Sequence, residues 1–340
     1  MVRPNVKLLA VFLGLISAAV LAAWYFLPGR THVPVAPRET VRIAMPMHPT
    51  SLLAHVALDR GFFTANGLDV SIKEYPSGAR ALNEGLFAGQ ADIAWCNETP
   101  VALAGFQRTD FKILSSTLSA ANVNMIVARR DGGIERPEDI RGKRIATQKG
   151  SAVHFFLHLF LLEHGMTEQD IQLSFLKAEE LPAALASGAI DAFSMREPYV
   201  GQARALLGEG KTITFRAPGV YDQLDLMVMR QDSLEKQPGV ALKALRAMLD
   251  AEAYITAHPE DAAAIMARRL KIEASSVEEI FPDFKPNVAL SQSLLVLLES
   301  EARWAIKNGL TDRKEMPDYL NLIDVDDLKK FKPEAVTIFR

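Results

Sequence analysis

Two stretches of this chain, "GQADIAWCNETPV" at residues 89–101 and "GAIDAFSMREPYV" at residues 188–200, are degenerate copies of one another. Each sets a glycine three residues before an aspartate, continues in a short apolar run, and stops that run in a polar cluster closed by a proline. An apolar helical pattern precedes both, "ALNEGLFAG" and "LPAALASG". A unit of helix, turn, strand and polar mouth that occurs twice demands two similar lobes. An aspartate just after a helix-ending glycine suits a turn carboxylate that accepts backbone N–H bonds, so Asp92 and Asp191 read as structural.

The rest of the chain follows the same grammar. "VRIAMPM", "DVSIKEYP" and "ADIAWC" read as strands separated by helices over 51–63 and "SGARALNEGLFAG". "KRIATQK", "IQLSFLK" and "IDAFSM" then repeat the alternation around helices at 151–164 and "AEELPAALASG". Such alternation predicts an α/β chain with a mainly parallel sheet in each lobe and helices on the faces. With 340 residues the chain exceeds a single-core domain of roughly 100–200 residues. The division expected is 1–39 as an N-terminal segment and tether, 40–120 with 220–340 as lobe 1, and 121–219 as lobe 2. Crossings near 119–125 and 217–229 are the candidate hinges. Residues 235–313 carry long amphipathic patterns, read as extra helices packed outside one lobe.

Charge and special residues exclude several classes. A net charge of -3 without a basic stripe argues against nucleic acid. The one cysteine, Cys96, forbids an intramolecular disulfide and a cysteine-based zinc site. Residues 8–27 form an uncharged apolar run behind Arg3 and Lys7, with Trp24 and Tyr25 where an aromatic belt belongs. At about 1.5 Å per residue it matches the roughly 30 Å hydrocarbon core, so an uncleaved membrane anchor is expected; Val20-Leu21-Ala22 leaves a signal-peptidase site open. "PGRTHVPVAPRET" follows as a proline-rich tether. His154 and His158 are four apart on one helix, but no H-E-x-x-H carboxylate accompanies them and no metal site is expected. His158 then lies on a helix face, while His48 and His154 remain pocket donors. Neither G-x-S-x-G nor a phosphate loop of the G-x-x-x-x-G-K type occurs, so neither turnover nor a cofactor is expected.

Ligands of open parallel sheets bind beyond the carboxyl ends of the strands, which makes the strand-to-helix junctions the place to look. These are "MPMHPTS", "YPSGA", "CNETP", "QKGSAVH" and "SMREPY". His48 lies in the first, and Thr50 or Ser51 there is placed to cap the first helix. Ser77 with Gly78, and Gly150 and Ser151 with Ala152, open helices whose unpaired N–H groups suit an oxyanion. Asn97 and Glu98 arrive from one copy of the repeat, and Met195, Arg196 and Glu197 from the other. Arg196 either clamps a sulfonate or carboxylate through two parallel N–H bonds or pairs with a neighbouring glutamate. Two glutamates facing an oxyanion would repel it, so an amine-bearing or neutral heterocyclic ligand fits better. Trp95 and Phe193 read as core, and Tyr199 as a ring placed to stack near the cleft.

"ALDRGFFTANGLDV", "GQADIAWCNETPV", "EDIRGKRIATQKGSAVHFFLHLFLLEHG", "ALASGAIDAFSMREPYV" and "QPGVALKALRAMLDAEAYITAHPEDAAAIMARRL", in this order, make the chain similar to a known family. It resembles the nitrate, sulfonate and taurine type of ABC-transporter solute-binding proteins, which also includes thiamine-precursor binders; the likeness covers nearly all of 40–330. The resemblance implies a type II periplasmic binding-protein fold and a monomer outside the cytoplasmic membrane. Two lobes would close over one small solute and present it to a membrane permease and its ATPase. A membrane-tethered ligand sensor, or an enzyme like the relatives that make thiamine precursors, are the alternatives on the same fold.

Overall fold

The structure is a computed structural model that describes residues 38–339; the expected anchor at 8–27 lies outside them. Among the described residues no helix is long and apolar enough to cross a membrane. Eleven strands are described: β1 (Glu39–Pro46), β2 (Leu68–Tyr75), β3 (Ile93–Asn97), β4 (Phe111–Ala120), β5 (Met125–Arg129), β6 (Arg144–Thr147), β7 (Gln172–Phe175), β8 (Ala192–Met195), β9 (Thr212–Phe215), β10 (Gln223–Arg230) and β11 (Phe284–Ala289). They form a six-stranded sheet ordered β11-β4-β10-β3-β1-β2 and a five-stranded sheet ordered β7-β6-β8-β5-β9. In each, three neighbouring strands run parallel, β2-β1-β3 in one and β7-β6-β8 in the other. An antiparallel strand follows in both, β10 beside β3 and β5 beside β8. The sheets are therefore mixed rather than mainly parallel. The antiparallel strands include the segments entering or leaving a crossing between sheets: β4 passes directly to β5, and β9 to β10.

The sequence repeat is a repeat of hydrogen bonds. Asp92, one residue before β3, takes the backbone N–H of Arg42 at 3.0 Å and its guanidinium at 3.0 and 2.6 Å. Asp191, one residue before β8, takes the backbone N–H of Arg144 at 2.8 Å and its guanidinium at 3.1 and 2.6 Å. Each aspartate returns its own N–H to the same arginine's carbonyl at 2.8 Å. Both clamps fasten the entry of a central parallel strand to its neighbour, leaving the far ends free to carry other residues. Burial alone would raise Asp92, but Arg42 outweighs it, and Arg144 likewise lowers Asp191.

Helices used below are α1 (Leu52–Asp59), α2 (Glu98–Gly105), α3 (Ala152–Glu163), α4 (Tyr199–Leu207), α5 (Pro238–Ala257) and α6 (Gln292–Lys307). The helix expected over 51–63 ends early because Gly61 turns left-handed at φ 71°, and Phe62–Ala65 starts a separate turn. The one expected after "YPS" is α-helical only over Gly78–Arg80 and winds more loosely, as a π-helix, over Ala81–Phe87. There Gly85 lies so close to β1 that a Cβ would come 2.6 Å from the Ala44 Cβ, which excludes any larger residue. The larger core fills the six-stranded sheet and α5 and continues through α3, with Ile126, Ile145 and Phe215, onto one face of the five-stranded sheet; a smaller core, with Met125, Val153, Leu185 and Phe193, backs its other face. Trp95 and Phe193 are fully buried, Trp95 meeting Phe63 edge-on at 6.0 Å.

Removing either clamp leaves a backbone N–H and a guanidinium without their acceptor. Asp92→Ala and Asp191→Ala should each lower stability by about 1–3 kcal/mol in urea unfolding at pH 7. Because the folded carboxyls titrate below their unfolded value, this contribution is present at neutral pH and is lost as pH falls below the ordinary carboxylate range. Wild type and variants should converge in acid; equal midpoints at pH 7 would contradict the clamp.

Candidate functional site

The carboxyl ends of the parallel strands of the two sheets meet. Arg196, just after β8, donates from Nη1 to Asn97 Oδ1 at the end of β3, at 2.8 Å. Gln148, just after β6, donates to Ser77 Oγ, beyond β2, at 2.8 Å. The Tyr199 hydroxyl, at the start of α4, donates to the carbonyl of Pro76 at 3.0 Å, so Tyr199 bonds across the lobes instead of offering a ring for stacking.

A single buried chain of polar side chains runs through this junction. His48 Nδ1 lies 2.9 Å from Thr50 Oγ1, which Asn97 Nδ2 reaches at 3.1 Å while also approaching the Leu224 carbonyl at 3.3 Å. Arg196 Nη1 continues from Asn97 to Gln223 Oε1 at 3.2 Å, and Asn124 Nδ2 joins Gln223 Oε1 at 2.9 Å. His48, Thr50, Asn97, Asn124, Arg196 and Gln223 are all at most 4% exposed. Four atoms of this chain have no protein partner: the nitrogens His48 Nε2, Arg196 Nε and Gln223 Nε2, and the oxygen Asn124 Oδ1. Buried polar atoms are paired in the great majority of cases, and an unpaired one costs about 1–3 kcal/mol. Unpaired donors concentrated on one chain mark a place built to bond something else.

The electrostatics favour an acceptor there. Burial lowers Arg196 to about 10, which leaves it charged at neutral pH. Burial, and then the Arg196 charge, hold His48 well below the usual imidazole range, so it is neutral. Three acids lie close. Asp225 is buried, takes Ser51 Oγ at 2.9 Å and Thr117 Oγ1 at 3.1 Å, and is pushed well up by burial. Glu98 takes the Tyr221 hydroxyl and the Leu224 N–H at 3.0 Å, and burial raises it to about 7. Glu301 of α6 accepts from Thr99 and lies 3.3 Å from the same Tyr221 hydroxyl, and it too is raised by burial and by Glu98. Glu98 and Glu301 thus form an acid pair around one tyrosine, and neither hydrogen-bonds to the unpaired donors.

Several expectations are thereby corrected. Glu197 does not join the polar chain: its carboxylate takes the Gly201 N–H of α4 at 2.8 Å and lies 3.7 Å from Arg204. Neither Glu98 nor Glu197 hydrogen-bonds to the unpaired donors. Among the described residues Arg196 forms no ion pair with a neighbouring glutamate; its hydrogen bonds go to two amide oxygens. Met195 is in the smaller core. Neither Thr50 nor Ser51 caps the first helix, since Thr50 turns to His48 and Ser51 to Asp225. Ser77 caps the Gly78–Arg80 turn at 3.4 Å, and a Cβ on Gly78 would lie 3.0 Å from the Cys96 Cα and 3.2 Å from His48 Nε2. At the start of α3, Gly150 donates to His154 Nδ1 at 3.3 Å, Ser151 Oγ donates to the Gln148 carbonyl at 2.6 Å, and Ala152 is buried. His154 is no pocket donor: it packs between Phe175 and Trp304. His154 and His158 both face Glu168, at 3.5 and 3.6 Å, and against the effect of burial they hold it at about 2. Among the described residues no group of three or more such side chains is arranged to hold a metal ion.

Thr50 as a link, Asn124, Gln148, Tyr221, Gln223, Asp225 and Glu301 were not singled out from the sequence. The one available signal was "YDQLDLMVM", where Gln223 and Asp225 interrupt an apolar strand at alternate positions. A separate cavity of about 600 Å³, lined by Phe155 and Leu159 with Ser119, Leu297 and Ser300, reaches Tyr221 and Leu224.

The acid pair sets a pH dependence. Carboxyls raised by the fold bind protons that the unfolded chain has released, so stability falls as pH rises from the ordinary carboxylate value towards about 7. In Glu98→Gln this descent should flatten, measured as the urea midpoint between pH 4.5 and 8. An unchanged slope would contradict the pairing.

The family model described as NMT1/THI5 like matches residues 49–262. The taurine-binding periplasmic protein of Escherichia coli (strain K12) is 27% identical over 230 residues, 65% of this chain and 69% of that one. A Bacillus subtilis (strain 168) protein, provisionally named as binding aliphatic sulfonates, is 24% identical over 302 residues, 86% of this chain and 88% of that one. Among solved structures, the alkanesulfonate-binding protein SsuA from Xanthomonas axonopodis pv. citri, bound to MOPS, superimposes with a TM-score of 0.73 at 19% identity, covering 85% of this chain and 99% of that one. The desulfurization enzyme DSZB has the same fold, with a TM-score of 0.62 at 17% identity, covering 86% of this chain and 98% of that one.

Proposed function

We infer from the site, and from the fact that this chain belongs to the NMT1/THI5-like family, that it is an extracytoplasmic solute-binding protein of an ABC importer. It captures a small oxyanion-bearing solute, a sulfonate first among them, between residues 40–120 with 220–340 as one lobe and 121–219 as the other. The solute is then handed to a membrane permease and its ATPase, with residues 8–27 as the anchor in the membrane. One observation carries this reading: three unpaired buried donors, His48 Nε2, Arg196 Nε and Gln223 Nε2, lie on a chain of side chains drawn from both lobes. A sulfonate offers three acceptor oxygens, and the relatives' names support that class. Bonds made to both lobes at once are the differential contacts through which a solute favours closure.

The full-length protein should show a rise in melting temperature with taurine or ethanesulfonate. Saturation at a hundredfold excess over Kd would add about 2.7 kcal/mol of apparent stability. Mass spectrometry should recover the solute unchanged, which separates binding from the chemistry of an enzyme on this fold. Arg196→Ala should weaken binding at least about tenfold. A converted product, or no response to any sulfonate, would contradict the reading.

A further inference from the structure

We propose that Thr50 is a positioning residue of this site: it fixes the tautomer of His48, so that the neutral imidazole presents Nε2–H as a donor to the bound oxyanion. The proposal rests on the solute-binding reading above for its last step only; the tautomer itself follows from the solute-free protein.

The polarity of the relay is set from its far end. A guanidinium has donors and no acceptor, so the Asn97 atom facing Arg196 Nη1 at 2.8 Å must be the amide oxygen. The amide nitrogen therefore faces Thr50, an orientation reinforced by the Leu224 carbonyl at 3.3 Å, a second acceptor suited only to that nitrogen. Thr50 Oγ1 thus receives a hydrogen from Asn97 and has its own to give. Thr50 is buried, and among the described residues its hydroxyl has one other partner, His48 Nδ1 at 2.9 Å. If His48 carried its proton on Nδ1, two hydrogens would compete for that 2.9 Å line, or the threonine hydrogen would be buried without an acceptor. Either costs more than the arrangement in which Thr50 donates to Nδ1 and the single imidazole proton sits on Nε2. Nε2 is buried and has no protein partner. It lies beside Gly78, whose missing side chain leaves room for it, since a Cβ there would come within 3.2 Å.

One arginine from the second lobe thereby sets the hydrogen-bond direction of three residues in the first, and the result is a neutral donor. A neutral N–H suits an oxyanion already facing the charge of Arg196. A second buried cation would have to be desolvated in the empty protein.

The tautomer is readable in long-range 1H–15N spectra of histidine-labelled full-length protein without solute. The wild type should show the Nε2–H pattern at His48. Thr50→Val, nearly isosteric, should lose that preference and bind ethanesulfonate about tenfold more weakly by calorimetry, while Thr50→Ser should keep both. Asn97→Asp supplies an acceptor where the relay needs a donor and should reverse it, moving the proton to Nδ1. An Nδ1–H pattern in the wild type, or an unchanged pattern in both Thr50→Val and Asn97→Asp, would overturn the relay. An intact relay in a protein that binds no sulfonate would instead overturn the step from tautomer to solute. Equal affinity in Thr50→Val and wild type would show that the fixed donor does not reach the solute.

Discussion

A guanidinium sealed from water is the constraint around which this molecule is arranged. Arg196 is 4% exposed, and a cation at that depth forfeits solvation worth several kcal/mol unless the protein replaces it. The replacement comes from Asn97 and Gln223, both on strands of the six-stranded sheet in the other lobe. The arginine's hydrogen-bond partners therefore do not belong to its own lobe. Solvating this charge and bringing the lobes together are one event, and a ligand oxygen at Nε would add to both.

The framework that makes such an encounter possible is the duplicated clamp. Arg42 with Asp92, and Arg144 with Asp191, fasten the amino-terminal side of the central strands, far from the site. Because the strands are pinned at that end, their carboxyl ends arrive at fixed places: Asn97 from β3 and Arg196 from β8, at equivalent points of the two repeats. Burial pushes the acids that accompany them towards the protonated form, against the hydroxyl bonds they accept, which favour the charge. Asp225 is held between Ser51 and Thr117, and Glu98 shares Tyr221 with Glu301. Arg196 is thus left without a carboxylate partner to satisfy it within the protein.

How much of this was legible in the sequence depends on whether a residue's role is local. The two repeats, the turn aspartates, the buried Trp95 and Phe193, and the meeting of Asn97 with Arg196 all follow from periodicity and position within a strand-to-helix junction. Roles fixed by distant partners do not. Glu197 sits in the same junction as Arg196, yet one residue of offset turns it onto the N-terminus of α4. Thr50 and Ser51 carry the usual capping signal, but acceptors at His48 and Asp225 outcompete the helix start. Within their helix no carboxylate faces His154 and His158, and Glu168 supplies one from the following turn. The mixed character of the sheets was hidden because strand direction depends on where the chain crosses between lobes, a topological fact that alternation does not encode. Gln223 and Asp225 show their polarity inside an apolar strand, but nothing local says which residues they meet.

Under the proposed function the solute bonds the free ends of one buried polar chain rather than lying in the cavity beside Phe155 and Leu159. A crystal structure of the protein grown with ethanesulfonate decides between them. Sulfonate oxygens within hydrogen-bond distance of Arg196 Nε, His48 Nε2 and Gln223 Nε2 are the predicted result. A solute seated against Phe155 and Leu159, with those three nitrogens still unpaired, would contradict it.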